Sequence, residues 1–310
     1  MELNTLPTIL VIVGPTASGK TALALEIARR IPSEIISADS RQVYRYLTIG
    51  TAKPTPEELN KVRHHFIDEM LPDKHFSAGD FGVHGRERIQ DIVKRNKLPI
   101  VAGGTGLYIR SLVDGLFVGP GKQDDIRDEI EERMESEGSE ALLEELRKVD
   151  PEAAARMLPS NTRRIIRALE VYYATGKPIS RHHGEHEHVP YFDPIIVGLQ
   201  WERKTLYERI NHRVETMLAD GFLDEVRGLL ALGYDDSLKS LQTVGYKEAF
   251  AFLRKELGQD RMVELMKQNT RRFAKRQLTW FRKEKRIRWF DIREAREIPQ
   301  IAERVLILLK

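Results

Sequence analysis

Thr8-Ile9-Leu10-Val11-Ile12-Val13-Gly14-Pro15-Thr16-Ala17-Ser18-Gly19-Lys20-Thr21 is the stretch that decides the fold. Its first six residues are all apolar or β-branched and end in glycine. A run without alternation predicts a strand buried on both faces. The next eight, Gly14, Pro15, Thr16, Ala17, Ser18, Gly19, Lys20 and Thr21, match G-x-x-x-x-G-K-[ST] at every fixed position, between a strand and a helix. Loop N–H groups converge on phosphate oxygens there, and the helix N-terminus adds the positive end of its dipole. Lys20 neutralises the distal phosphate, and the Thr21 hydroxyl is placed to ligate Mg²⁺. The motif speaks for a diphosphate or a triphosphate without choosing between them, so ATP is also an expected occupant.

Outward from the loop, a helix is expected from about residue 19 to 30, with Leu23, Ile27 and Ile31 on one stripe. Further short apolar runs at 34–38, 99–102 and 195–199 alternate with amphipathic segments. This rhythm predicts an α/β fold, a P-loop-type doubly wound parallel sheet. Residues 121–189 interrupt it with charged helical sequence, punctuated at Gly138 and at Gly176-Lys177-Pro178. We read them as an inserted helical subdomain, leaving 1–120 and 190–310 as the core. Residues 203–285 are expected to be helical with breaks at Gly221, Gly233 and Gly245, followed by a last strand at 286–290 and a terminal helix. No internal repeat is present.

The 310 residues suffice for one large domain or two unequal ones, and 41% apolar content marks a globular chain. No apolar run approaches the roughly 20 residues of a membrane helix. The opening residues Met1-Glu2-Leu3-Asn4-Thr5 lack the pattern of a secretory signal. The absence of cysteine excludes disulfides and thiolate zinc sites and suits a reducing cytoplasm. Net charge is only +3, but it is segregated: residues 121–155 hold five Lys/Arg against thirteen Asp/Glu, and 261–290 hold eleven against two. The basic block, with Trp280, Phe281, Trp289 and Phe290, fits either a nucleic-acid surface or an exposed helix face with core aromatics. The acidic stretch 124–145 reads as a solvated helix face. The cluster His182-His183-Gly184-Glu185-His186-Glu187-His188 reads as a solvated loop rather than a metal site.

An NTP-hydrolysing enzyme usually adds an apolar strand ending in Asp for the magnesium shell. Here the strand at 99–102 ends in Gly103-Gly104-Thr105-Gly106 instead, which leaves a small kinase or an enzyme with diphosphate as leaving group. Asp39 follows the second strand and faces the same crevice as the phosphate loop. Three roles are open to it: accepting a proton from a nucleophile, holding Mg²⁺, or capping a helix. Thr105 ends the next strand on that edge, either in a plain turn or as a hydroxyl offered to a ligand. Its flanking glycines would let a ligand approach the backbone closely.

These residues together resemble one family, the tRNA dimethylallyltransferases. The resemblance runs through 14–21, Asp39-Ser40-Arg41-Gln42-Val43-Tyr44, Ile49-Gly50-Thr51-Ala52-Lys53-Pro54, and Gly103 to Tyr108. It continues through Arg164 to Val171, Val244-Gly245-Tyr246-Lys247-Glu248, and Lys275-Arg276-Gln277-Leu278-Thr279-Trp280-Phe281-Arg282. It implies Mg²⁺-dependent transfer of dimethylallyl from its diphosphate to N6 of the adenosine 3′ of the anticodon. By the same resemblance Asp39 would be the general base, Thr105 would contact the adenine, and Arg213 would help hold the diphosphate, with Arg209 on the same helical face. Expected tRNA contacts are Asp39, Ser40, Arg41, Gln42, Thr105, Arg163, Arg164, Arg167, Gly245, Tyr246, Lys247, Lys275, Arg276, Gln277, Trp280 and Arg282; expected metal ligands are Thr21 and Asp39. The expected partners are a tRNA anticodon stem-loop and dimethylallyl diphosphate, with no membrane and no obligatory protein partner. A relative using free adenylate, a small-molecule kinase and a non-catalytic RNA-binding module are the rival readings.

Overall fold

The computed structural model describes residues 6–115, 124–185 and 190–309. The chain forms two compact units, Met1–Asp114 with Pro190–Lys310, and Gly115–Val189. In chain order the first unit begins β1 (Thr8–Val13), α1 (Lys20–Arg30), β2 (Ser33–Ser37), α2 (Pro56–Lys61), β3 (His64–His65), α3 (Ala78–Lys94), β4 (Leu98–Gly103) and α4 (Gly106–Val113). The second contains α5 (Asp124–Ser136), α6 (Ser139–Val149), α7 (Pro151–Ala154), α8 (Thr162–Thr175) and α9 (Ile179–Glu185). The first resumes with β5 (Asp193–Trp201), α10 (Arg203–Ala219), α11 (Phe222–Ala231), α12 (Tyr246–Leu253), α13 (Gln259–Phe281), β6 (Arg288–Ile292) and α14 (Ile298–Leu308).

The six strands form one parallel sheet in the order β3-β2-β4-β1-β5-β6. β1 lies between β4 and β5, which explains its unbroken apolar run. Ile9, Val11 and Val13 feed the core on one face, while Leu10 and Ile12 feed a separate core on the other. On the second face α1 packs Leu23 and Ile27 against Ile298, Ile301 and Val305 of α14. β1 sits where the strand order reverses, so its C-terminal end opens into the crevice where ligands of such sheets bind. The last strand begins two residues later than expected. Its would-be first residue, Arg286, turns to Asp114 (2.7 and 2.9 Å) and Glu284.

The helical unit has its own core of Ile130, Leu142, Leu143, Leu146, Ile165, Ile166 and Leu169. Buried Asp150 caps α7 by accepting from Ala153 N (3.0 Å) and holds α9 by accepting from Ser180 N (2.9 Å). Buried Glu170 is paired with Arg127 and Arg167. His182 lies in α9, not in a loop, and residues 186–188 of the histidine-rich stretch lie outside the described residues.

Two loops on the crevice side carry backbone strain. Tyr46, Ala52, Phe66 and Asp68 all have positive φ, which for non-glycine residues costs about 1–3 kcal/mol each. Side chains hold them there. One carboxylate, Glu225, accepts from Thr48 N (2.8 Å), Ile49 N (2.6 Å) and Gly50 N (3.1 Å), and from the Tyr246 hydroxyl (2.6 Å). The buried ammonium of Lys53 donates to Tyr44 O (2.6 Å) and Asp68 (2.5 Å). Gly245 and Tyr246 therefore do not form an RNA-facing surface, as the motif suggested. Tyr246 is fully buried under Gly50 and beside Phe222, and Gly245 N bonds Glu248. Of that trio only Lys247 is exposed.

Replacing Glu225 with Ala strips four donors of their shared acceptor. Unfolding in urea should show a loss of about 2–4 kcal/mol with an unchanged denaturant slope. Limited proteolysis should become fast within 44–53. A loss below 0.5 kcal/mol would mean that the carboxylate is not what holds the loop.

Candidate active site

The phosphate loop is shaped by its own sequence and then tied down from outside. A Cβ on Gly14 would lie 2.8 Å from both Leu199 O and Ser18 Oγ, so only glycine fits at the strand end. Ala17 and Gly19 take left-handed φ values of 63° and 94°, which turn successive N–H groups inward. Three distant side chains bond the loop's backbone. Trp201 Nε1 donates to Ser18 O (2.9 Å), Arg209 Nε donates to Ala17 O (3.0 Å), and Gln277 Oε1 accepts from Thr16 N (2.8 Å). The Arg209 guanidinium also stacks 4.1 Å over the Trp201 ring. Arg209 thus braces the loop through its backbone, whereas Arg213, one turn further along α10, lies close enough to Lys20 for their charges to interact.

Lys20 folds over the loop and donates to Pro15 O (2.7 Å). Burial, then the neighbouring charge of Arg213, lower its pKa to about 8, with Asp39 opposing. Desolvation lowers the pKa of Arg213 too, again opposed by Asp39. Arg213 makes no hydrogen bond or ion pair within 4 Å among the described residues. Two half-buried cations, one of them further depressed by the charge of the other, form a site whose charge is completed by an anion.

Asp39 and Thr105 stand together at the ends of β2 and β4. Ala38 N bonds Ala102 O (2.9 Å), Thr105 N bonds Ala38 O (3.1 Å), and the Thr105 hydroxyl accepts from Ser40 N (3.1 Å). One Asp39 oxygen accepts from Arg41 N (2.8 Å) in an Asx turn. No helix begins there, so the capping role falls away, and the second carboxylate oxygen has no hydrogen-bond partner among the described residues. Gln42 is spent on the backbone, since its amide accepts from Ser37 Oγ and donates to Thr51 O and Ala52 O. It positions the turn rather than reaching outward. The glycines around Thr105 answer to protein atoms and not to a ligand. A Cβ on Gly103 would meet Ala38 O at 2.1 Å, on Gly104 Gln277 Nε2 at 2.2 Å, and on Gly106 the Trp280 ring at 2.1 Å.

α13 supplies those last two contacts and carries the basic block. Lys275, Arg276 and Arg282 are exposed with no carboxylate partner among the described residues, and Arg276 lies 5.7 Å over the Phe273 ring. Gln277, expected among the RNA contacts, is only 7% exposed and points inward. Trp280 is partly exposed against Gly106. In the helical unit Arg163 and Arg164 are exposed, whereas Arg167 is held by buried Glu170 at 3.1 Å. Trp201 and Glu225 escaped the sequence reading, because nothing local to them signals partners so far along the chain.

The residues fit Mg²⁺ that arrives with a diphosphate. Thr21 is exposed at the start of α1, and Asp39 has a spare oxygen, a donor set that suits an ion held mainly by phosphate oxygens and water. Among the described residues no cluster of three or more acidic or histidine side chains would hold a bare ion.

Folding lowers the Lys20 pKa from 10.5 to about 8. The half-buried cation therefore destabilises the ligand-free protein at pH 7, and stability rises as pH climbs from about 8 toward 10.5. Lys20→Met should raise ligand-free stability at pH 7 by about 1–2 kcal/mol, allowing for partial exposure, and abolish diphosphate binding. Wild-type diphosphate affinity should fall as pH rises past about 8. A variant no more stable than wild type at pH 7 would show the ammonium to be well solvated.

Residues 42–284 match the family model described as IPP transferase. The chain is 47% identical over 289 residues to a tRNA dimethylallyltransferase of Salinibacter ruber, covering 93% of this chain and 89% of the relative. To the tRNA dimethylallyltransferase of Geobacter sulfurreducens it is 48% identical over 285 residues, 91% of each. Among solved structures, the full-length tRNA isopentenylpyrophosphate transferase of Bacillus halodurans matches with a TM-score of 0.71 at 40% identity, over 96% of this chain and 95% of that one. A eukaryotic dimethylallyltransferase acting on tRNA matches with a TM-score of 0.83 at 28% identity, over 97% of this chain and 78% of that one. With similarity of this extent around an anion site beside a half-satisfied carboxylate, the chain belongs to the tRNA dimethylallyltransferase (IPP transferase) family.

Proposed function

We propose that this chain transfers the dimethylallyl group of dimethylallyl diphosphate to N6 of the adenosine 3′ of the anticodon in tRNA, releasing diphosphate. The observation that carries the reading is the pairing of a depressed Lys20–Arg213 cation site with the half-satisfied carboxylate of Asp39. One end suits a diphosphate that gains charge as it leaves, and the other suits a proton that must depart from an amine.

The chemistry follows from those two ends. The N6 lone pair attacks the allylic carbon, the carbon–oxygen bond breaks, and its electron pair goes to the diphosphate. Lys20, Arg213 and the loop N–H groups stabilise that developing charge. Mg²⁺ would be held by Thr21, the diphosphate and the Asp39 oxygen that faces Arg41 N, and would add charge neutralisation at the leaving group, which leaves the other Asp39 oxygen for the proton. Asp39 accepts the N6 proton through its free oxygen, and the Thr105 hydroxyl, already turned toward Ser40, keeps a proton to donate to the adenine. The adenine reaches this pocket by leaving its stack, at a cost of a few kcal/mol. Arg163, Arg164, Lys247, Lys275, Arg276, Trp280 and Arg282 are the proposed tRNA contacts, with Ser40 and Arg41 beside the target base. The reaction is assigned to the cytoplasm and needs no protein partner.

The free-adenylate reading is disfavoured by Lys275, Arg276 and Arg282, which are exposed without carboxylate partners among the described residues and which a mononucleotide would leave unused. The direct test is transfer of labelled dimethylallyl diphosphate to unmodified tRNA, with AMP as a parallel acceptor. Label on tRNA that disappears when the target adenosine is replaced supports the proposal; label on AMP alone overturns it.

Asp39→Ala should lower turnover about 10²–10⁴-fold while tRNA affinity changes little. Near-normal turnover would remove Asp39 from the base role. The double change Lys275→Ala with Arg276→Ala should weaken tRNA binding and reduce the salt slope by about 1–2. An unaltered slope would move the RNA surface elsewhere.

A further inference from the structure

α13 presents two faces that serve different ligands. Lys275 and Arg276 point to solvent, and the next residue, Gln277, is buried. Its amide oxygen accepts from Thr16 N inside the phosphate loop (2.8 Å), and its amide nitrogen donates to Gly104 O (3.0 Å), one residue before Thr105. The approach is close enough that a Cβ on Gly104 would meet the amide nitrogen at 2.2 Å. At neutral pH only a primary amide offers both an acceptor and a donor at one end of a side chain this long. A glutamate lacks the donor, and lysine and arginine lack the acceptor. Trp280, one turn further on, packs on Gly106 at the other side of Thr105.

We propose that Gln277 is a positioning residue that ties the RNA-bearing helix to both halves of the reaction site, the loop that holds the diphosphate and the turn that holds the adenine. The inference rests on the tRNA reading of the exposed face of α13. RNA seated on Lys275 and Arg276 loads the helix at the residues adjoining Gln277. Any shift there either carries Thr16 and Gly104 along or leaves buried polar groups unpaired, at about 1–3 kcal/mol each. Occupancy of the RNA surface and affinity for diphosphate are therefore coupled, and the coupling runs equally in both directions.

The test measures dissociation constants of the full chain for inorganic diphosphate with Mg²⁺, with and without an anticodon stem-loop. In the wild type the stem-loop should tighten diphosphate about tenfold. Gln277→Leu should reduce that ratio to within about twofold of one, with stem-loop affinity alone kept within about threefold. Gln277→Glu retains the acceptor for Thr16 N but loses the donor while ionised. Its KM for dimethylallyl diphosphate should rise at pH 7.5 and should recover as pH falls to about 5.5, where a carboxyl whose pKa burial has raised is protonated and donates again. A merely structural defect would not be rescued by acid. A wild-type ratio near one, or a Leu variant with the wild-type ratio, overturns the coupling and leaves the transfer reaction standing. A wild type that binds no stem-loop would instead overturn the reading beneath it.

Discussion

Backbone amides can hold a diphosphate only if they face inward together, and a glycine-rich loop has no intrinsic reason to stay so. In this chain the constraint is met by side chains that engage the loop from behind. Trp201, from the end of β5, and Arg209, from α10, take the carbonyls of Ser18 and Ala17, and Gln277, from α13, takes the amide of Thr16. Each comes from a different element, so the loop's geometry depends on the sheet, on α10 and on α13 at once. The remaining features of the crevice build on that rigid anion cradle. Lys20 lies across it and Arg213 lies beside it, with Asp39 and Thr105 along the neighbouring strand ends.

What could be read in the sequence was what depends on neighbours within a few residues. The buried run of β1 and the spacing of Gly14, Gly19, Lys20 and Thr21 carry their meaning locally, and so does the placement of Asp39 and Thr105 just beyond strands. Pairings across long separations were invisible. Thr16 and Gln277 are 261 residues apart, and Thr48 and Glu225 are 177 apart. No periodicity announces such partners. The segment between 54 and 98 shows no clear periodicity for a related reason. α3 contains Gly82 and Gly85, which weaken its helical signature but let α4 approach, since a Cβ would meet Ser111 and Leu112 at 2.3 and 2.7 Å. β3 is only two residues long, too short for a pattern.

Resemblance to a family marks which residues matter without saying in which direction they point. Gly245, Tyr246, Gln42 and Gln277 all fall in motifs expected to face RNA, and all four are committed to hydrogen bonds within the frame, the two glutamines to backbone and the other two to the carboxylates of Glu248 and Glu225. Much of the motif content of this chain therefore describes a frame, and the surface that meets the substrate is narrower than the motifs. The strained turns at 46–52 and 66–68 belong to that frame. Their left-handed residues are tolerable because Glu225 and Lys53 leave the loop no alternative path.

The chain has three tryptophans, and each reports on a different place. Trp201 is bonded to the phosphate loop under a stacked guanidinium, Trp280 lies against the turn that carries Thr105, and Trp289 covers Gly198 within the sheet. Indole emission responds to a nearby cation and to solvent exposure. The protein thus carries built-in optical gauges: one beneath the anion cradle, one at the base pocket, and a third in the scaffold as an internal reference. Single-tryptophan versions would let the filling of each compartment be followed separately in time, without attaching a dye.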